Sequence, residues 1–504
     1  MKKEINFQTG FTFVELIIVI AITLLIGITA VPFYSRFFNQ TAVANTTTQL
    51  IAELRKAQTY SMTGKRGGQW GVTYTNSSII LFQGSTYASR NAAFDETFSI
   101  DPNVSITGFT ELAFNRMTGT PSASQSITIS GIGGNSQTVA VSTQGVIINT
   151  AWFNTSFVYR KTITIDHTKV VGGSDLSNFP VLISITDPNL RTVANGGFVQ
   201  NTSGYDILFT DTTQTIKLDH EIEKYDPTTG EIDMWVRLPV LYANTDTVLS
   251  MYYDNTAISS SQENKNSVWD TNYVGVWHLN DNAANTTVSD STAIINTGTN
   301  AANTSTKTVS GQIAGGLTFN GSTDKTVTTT NGSIKGQAGV TVSAWVNTTA
   351  LSGLQQEIYM ESTNGTSATS RLALTINGGT SKFEFFGRTA DADARTSWVS
   401  SSTALTTNTW YYVVAVYDSA NSLNHLMVNG VDQTSAKTEA AFSSTTPTSA
   451  PYIGAQADAT QFWNGRLDEV RVSKTARTAG WNTTEYNNQS SPSTFYTIGL
   501  ATTQ

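Results

Sequence analysis

The sequence predicts an α+β chain that is mostly β: one long N-terminal helix, a small β head, and two larger β modules. Three observations predict it. The run from Phe11 to Val31 is apolar apart from Thr12, Glu15, Thr23 and Thr29, and about 20 apolar residues suffice to cross a bilayer as a helix. Beyond about residue 64, short segments alternate apolar and polar residues with period two, separated by Gly, Asn and Ser turns. The composition agrees, with 38 Gly, 10 Trp, 18 Tyr, 23 Phe and only 13% charged residues in 504.

Bulk properties exclude several function classes. At roughly 150 residues per domain the length suggests about three domains. The net charge is -8, and no basic cluster exceeds "GKRGG" at Gly64 to Gly68, so the electrostatic footprint of a nucleic-acid binder is missing. There is no cysteine, which excludes disulfides, thiolate metal sites and cysteine nucleophiles.

The leader "MKKEINFQTG" carries two lysines ahead of the apolar run, which predicts a cytoplasmic amino end and an exported remainder. A secretory signal would have an apolar region of only about 7–15 residues. Here the run is longer and contains an acid at Glu15, and a carboxylate at mid-bilayer costs on the order of 2.5–3.5 kcal/mol. An acid held there needs a partner.

The stretch "GFTFVELIIVIAI", Gly10 to Ile22, resembles the class III signal of type IV pilins and pseudopilins. The resemblance implies cleavage between Gly10 and Phe11 by a membrane prepilin peptidase, followed by methylation of the new amino terminus. It also implies assembly with other pilin subunits, from the inner membrane into a pilus at the cell surface. The α-amine of Phe11, with an ordinary pKa near about 7.7–8.0, would then be the counter-charge for Glu15. That pairing is made with a neighbouring subunit in family filaments, although one helical turn also separates the two residues within a chain. Pro32 removes a helical hydrogen bond and predicts a kink. Val43, Leu50, Leu54 and Ala57 fall on one face of the resumed helix, with Gly64, Gly67 and Gly68 as its stop.

The strand-like segments from "WGVTYT" to "QTVAVSTQGVI" resemble the β head of minor pilins and of a type II secretion pseudopilin. The next segments, "YRKTITIDH", "NFPVLISI", "GYDILFTD", "LDHEIEKYD", "GEIDMWVRLPVL" and "TVLSMYYDN", resemble a family of unknown function found beside laminin-G-like modules. They predict a β-sandwich with Trp235, Val236 and Leu238 in its core. From about Val268, the order "VGVWHLND", "GGLTFNGSTD", "VTVSAWVNT", "TWYYVVAVYD", "LMVNGV", "YIGAQ", "FWNGRLDEVRVSKTART" resembles laminin-G-like domains, implying a concanavalin A-like jelly roll of two antiparallel sheets. The expected organisation is a leader at 1–10, a transmembrane and assembly helix at 11–63, a pilin-like head at 64–150, a sandwich at 155–258 and a jelly roll at 266–500.

Candidate chemistry is sparse. In "GEIDMWV", Glu231 and Asp233 fit two places of a jelly-roll glycosidase, but Trp235 and Val236 stand where its acid would be, and retaining hydrolysis needs two carboxyl groups about 5–5.5 Å apart. The chain is therefore expected not to be an enzyme. "HEIE" at His220 to Glu223 lacks the second histidine of a zinc helix. His278 and His425 match no triad or metal spacing. Calcium is the one cofactor the laminin-G resemblance implies, with Asp281, Asp290, Asp324 and Asp468 as candidate ligands, because Ca²⁺ takes six to eight oxygens from irregular loops. Trp345 and Trp410 sit in alternating strands and are expected in the core; Phe386, Trp398 and Trp463 lie near loops and are the ligand candidates.

The expected function is a minor pilin-like surface subunit acting as an adhesin, which presents its laminin-G-like domain to an extracellular glycan or protein. Crowding by three domains on every subunit disfavours a major building block. The alternative is a pseudopilin of a secretion or DNA-uptake machine with cargo-recognition domains; a membrane-anchored glycan hydrolase is disfavoured by the missing acid. Replacing Gly10 by a bulky residue is expected to leave the leader attached, seen as retained mass in the membrane fraction. Glu15→Ala should be cleaved normally yet enter filaments poorly.

Overall fold

The computed structural model describes residues 42–503 except 44, 76, 132–135, 150–151, 155, 330–333, 335–336, 352, 363–369, 389–396, 403, 420–422, 439–448, 457 and 459. The chain divides into two compact units, Met1–Asn154 with Asp211–Ile216, and Thr155–Thr210 with Lys217–Gln504.

The first unit corrects the expected fold class. The protein is mostly β, and the described helix of this unit covers only 42–62 rather than a long N-terminal rod. No helix among the described residues is long and apolar enough to cross a membrane. Gly10, Phe11, Glu15 and Pro32 lie outside the described residues. The physical reason for the correction is where burial falls. The helix buries Val43, Leu50, Ile51, Leu54 and Ala57 in one core with Trp70, Val72, Leu81, Phe114, Ile127 and Val139, so it serves as the lid of a small β domain. Gly64, at φ 64°, takes the left-handed conformation just beyond its end. One sheet orders Glu96–Ser99, Ser78–Gln83, Trp70–Thr75 and Glu111–Phe114; the other orders Val104–Thr107, Gln125–Gly131, Ser136–Val141 and Ile147–Asn149.

The second unit holds a sandwich and a jelly roll. In the sandwich, Leu176–Thr186, Glu231–Leu241 and His220–Asp226 form one antiparallel sheet. The opposing sheet orders Leu208–Thr210, Thr247–Tyr253 and Tyr159–Ile165, and is completed by Tyr496–Ile498 from the end of the chain. Val236 and Leu238 face the sandwich core with Phe179, Ile183, Met234 and Met251. Trp235 does not: one step along a strand reverses the face, and its ring packs with Leu182, Val268, Trp269, Tyr273 and Val276 instead. That second cluster is where the two modules meet.

The jelly roll consists of an eight-stranded sheet running through Gly315–Asn320, Asn464–Ser473, Gly339–Thr348, Tyr411–Asp418 and Leu423–Val428, and a nine-stranded sheet running through Tyr452–Ile453, Gln356–Ser362, Ser370–Asn377, Lys382–Gly387, Ser397–Ser401 and Thr434–Thr438. Between them Trp277, Leu317, Val342, Tyr359, Leu374, Phe385, Val413 and Trp463 build the main core. Tyr273–Trp277, arriving from the sandwich, pairs directly with Asn464–Ser473.

The helix Ala479–Ser490 fills the seam with polar side chains. Asn482, Thr484, Glu485, Asn488 and Gln489 are all buried and each makes at least one hydrogen bond, although Asn482 Oδ1 and Gln489 Nε2 have none among the described residues. Its amino end is capped by Thr478 Oγ1, which accepts from Trp481 N. On the sandwich side, Asn488 acts as a short strand: its side chain accepts from Leu182 N at 2.7 Å and donates to Leu182 O at 3.0 Å. On the jelly-roll side, Trp345 Nε1 donates to Gln489 Oε1 at 2.7 Å. A Cβ at Gly480 would stand 2.4 Å from Val171 O, so only glycine admits this approach. Asn488→Ala leaves two buried peptide groups unpaired at about 1–3 kcal/mol each, and urea unfolding is expected to show a loss of about 2–6 kcal/mol.

Candidate functional site

The four aspartates proposed for calcium are not brought together; none belongs to a group of three or more potential ligands among the described residues. Asp290 is buried and organises a loop, accepting from Val276 N, Thr292 N, Thr292 Oγ1 and Asn296 N. Asp324 accepts from Lys307 Nζ at 2.6 Å and from Asn320 N. Asp281 accepts from Ser289 N and Oγ. Asp468 is buried and holds Gln312 N and Ile313 N through Oδ2.

The aromatic candidates divide. Trp463 is fully buried in the main core, its Nε1 donating to Arg466 O. Trp345 is buried as well, under the seam helix. Phe386 belongs to a separate cluster with Met360 and Ala373, against which Tyr452 packs, and not to the core between the sheets. The register explains this. Tyr452, Met360, Ala373, Phe386 and Trp398 are successive cross-strand partners over five strands of the nine-stranded sheet. Their neighbours Tyr359, Leu372, Phe385 and Val399 point into the core, so Met360, Ala373 and Phe386 lie on the other face of the sheet, where they too are buried. Thr375, Glu384 and Ser400 form the next rung on that face. The Arg388 guanidinium lies 5.8 Å from the Phe386 ring centroid.

The densest chemistry lies elsewhere, in the seam, on residues to which sequence patterns assign nothing. The strand His220–Asp226 supplies Glu221 and Glu223. Its pairing steps from Ile222 opposite Met234 to Lys224 opposite Asp233, which leaves Glu223 as the extra residue of a β-bulge. The strand Asn464–Ser473 supplies Glu469 and Arg471, and it too is bulged: its pairing steps from Arg471 opposite Ser343 to Asp468 opposite Trp345. Glu469 sits there at φ 52°, a left-handed conformation that a side chain seldom adopts. His278 follows Tyr273–Trp277 and lies beside it.

The geometry is close. His278 Nδ1 is 2.5 Å from Glu469 Oε1 and 3.4 Å from Glu223 Oε2, while Nε2 is 3.3 Å from Glu221 Oε2. Glu221 also accepts from Trp269 Nε1 and Ser291 Oγ, and Glu223 from Trp235 Nε1 at 2.7 Å. Arg471 binds Glu469 through Nε and one terminal nitrogen and Glu485 through the other, with its guanidinium 4.2 Å from the Trp235 ring centroid and 4.7 Å from that of Trp269. Tyr412 donates to Glu485 at 2.8 Å. Asp468 closes the group at its edge.

Charge is unbalanced in this dry space. Five carboxyl groups, of Glu221, Glu223, Asp468, Glu469 and Glu485, face one guanidinium and one imidazole. Burial, then the Glu469 carboxylate, pushes Glu223 and Asp468 well above the usual range. For Glu469 burial is outweighed by His278 and Arg471, which hold it at about 2. Burial would lower His278, but the carboxylates of Glu469, Glu223 and Glu221 outweigh it and raise the imidazole well above its ordinary value. A second group, Asp166, His167 and Asp246, has the same donor types but is partly exposed.

Residues 320–481 match the concanavalin A-like lectin/glucanases superfamily, and residues 203–296 match a domain of unknown function, DUF2341. No curated protein matches the chain. Among solved structures, the chain is similar to domain 4 of AbnA, a GH43 extracellular arabinanase from Geobacillus stearothermophilus, in complex with arabinotriose. The two are 17% identical over 43% of this chain and 98% of that one, at a TM-score of 0.29. The receptor binding domain of botulinum neurotoxin C/D mosaic serotype is 13% identical over 43% of this chain and 51% of its own, at 0.33. The CBM40 of Ruminococcus gnavus IT-sialidase, bound to α2,3-sialyllactose, is 14% identical over 30% of this chain and 83% of its own, at 0.26. Likenesses of this size say nothing of what the present chain binds.

The seam cluster predicts an asymmetric response to mutation. Arg471→Met strands two buried carboxylates and is expected to cost about 3–5 kcal/mol in urea unfolding. Combining it with Glu469→Gln and Glu485→Gln removes the stranded charge and should recover most of that loss.

Proposed function

We propose that the protein is a surface-displayed glycan-binding subunit whose jelly roll is the recognition module. The observation that carries this reading is the match of residues 320–481 to a superfamily described by its lectins and glucanases. On the nine-stranded sheet Tyr452 is a half-buried aromatic, whereas Met360, Ala373, Phe386, Thr375, Glu384 and Ser400 on the same face are buried. Sugars present apolar C–H faces, and a partly accessible aromatic ring such as that of Tyr452 suits them.

The amino-terminal sequence supplies the display. Cleavage at Gly10/Phe11 and the amine it creates for Glu15 would place the subunit among pilins, as a minor member at or near a filament tip and on the outer surface of the cell. An adhesin of this kind holds the jelly roll away from the membrane and needs no catalytic group on the binding face.

A glycan array probed with the full chain tests the reading. Binding to a defined glycan class is expected, and Tyr452→Ala and Trp398→Ala should each weaken it more than tenfold. A chain that binds no glycan, or binds equally well with both residues replaced, would sink it.

A further inference from the structure

We propose that Glu223, His278 and Glu469 form a metal site that takes one first-row divalent cation of the zinc class where the sandwich meets the jelly roll. One ligand comes from the sandwich strand His220–Asp226, one from the connection after Tyr273–Trp277, and one from the jelly-roll strand Asn464–Ser473. Their candidate donor atoms all lie within 4.8 Å of one another. The Glu223 side chain is fully buried, and its Oε1 accepts no hydrogen bond among the described residues. A buried carboxylate oxygen without a donor is costly, and a cation removes that cost.

The donor set and its surroundings specify the class of ion. One imidazole nitrogen with two carboxylates suits a borderline divalent ion, whereas calcium prefers oxygen alone. Zinc bonds of about 2.0–2.1 Å set tetrahedral donors about 3.3 Å apart. His278 Nδ1 and Glu223 Oε2, at 3.4 Å, already have that separation. Nδ1 and Glu469 Oε1 are in hydrogen-bond contact at 2.5 Å, and the ion takes the place of that proton as the two atoms part by under about an ångström.

Outer groups are arranged as a metal-bound histidine requires. Glu221 Oε2 faces Nε2 of His278 at 3.3 Å, the carboxylate position that fixes the ring when Nδ1 is the ligand. Arg471 holds the second oxygen of Glu469, and Trp235 Nε1 orients the Glu223 carboxylate through Oε2 while Oε1 stays without a donor among the described residues. Two β-bulges converge on the point, and the indoles of Trp235 and Trp269 stand 6.1 and 5.8 Å from the imidazole, keeping it dry. The ion's two positive charges take the place of the protons its ligands give up, so the Glu223 and Glu469 carboxylates stay compensated.

The test uses the full chain, stripped with EDTA, loaded with zinc chloride and freed of excess by gel filtration, with bound metal counted by plasma mass spectrometry. About one equivalent is expected to stay on the wild type and to be lost from His278→Asn. Glu221→Gln, which touches no ion, should keep the far-UV circular dichroism of the wild type and weaken zinc by about 10–100-fold. Should His278→Asn fail to fold, the Glu221→Gln affinity decides alone. Equal zinc on wild type and His278→Asn, no zinc on the wild type, or an unchanged affinity in Glu221→Gln would each overturn the proposal.

Discussion

The ion pairs of Arg471 are the constraint on which the second unit depends. Its guanidinium is buried beside two tryptophan rings and is bonded to Glu469 and to Glu485. A charge so placed cannot return to water without separating the modules, and it cannot stay without both carboxylates. Glu469 belongs to the jelly-roll sheet, Glu485 to the seam helix, and the rings above it to the sandwich and its connection. One residue thus obliges three elements to assemble together or not at all.

Topology reinforces that obligation. The sandwich opens with Tyr159–Ile165 and is completed by Tyr496–Ile498, so the whole jelly roll is inserted between two strands of one sheet. Tyr496 is buried, and its hydroxyl accepts from Ser184 N and donates to Ser184 O, tying the returning strand to the opposite sheet. The seam helix just before it is polar where seam helices are commonly apolar. Exact hydrogen-bond partners substitute there for greasy contact, and such networks specify one docking geometry because every other leaves donors unpaired.

The β character of the chain beyond residue 64 was legible from its alternation, because period-two burial acts locally on each strand. Trp345 in the core was legible for the same reason. Trp235 was not: "MWVRL" reads as one apolar run, and only the strand's alternation, seen against two different neighbours, shows that Trp235 and Val236 serve separate cores. The seam cluster was legible only in pieces. "HEIE" shows alternating acids and "LDEVR" shows adjacent charges in a strand, but their partner, His278, stands far away in the sequence. No local spacing rule joins residues 223, 278 and 469. Of the expected long N-terminal helix only 42–62 falls among the described residues, and there the face of Val43, Leu50, Leu54 and Ala57, legible from its spacing, packs into the core of a small β domain.

The placement of the two sites follows from the jelly roll having two sheets. Its eight-stranded sheet carries Glu469 and Arg471, and its outer residues Trp345, Tyr412 and Met427 are covered by the seam helix. That sheet is consumed in mounting the module. The nine-stranded sheet lies across the core, and its outward row from Tyr452 to Phe386 turns away from the sandwich by construction. The left-handed backbone at Glu469 stores about 1–3 kcal/mol of strain on the mounting side, where charges from two modules over-determine it. That strain lies on the sheet that meets the sandwich, where the docked modules hold it in place.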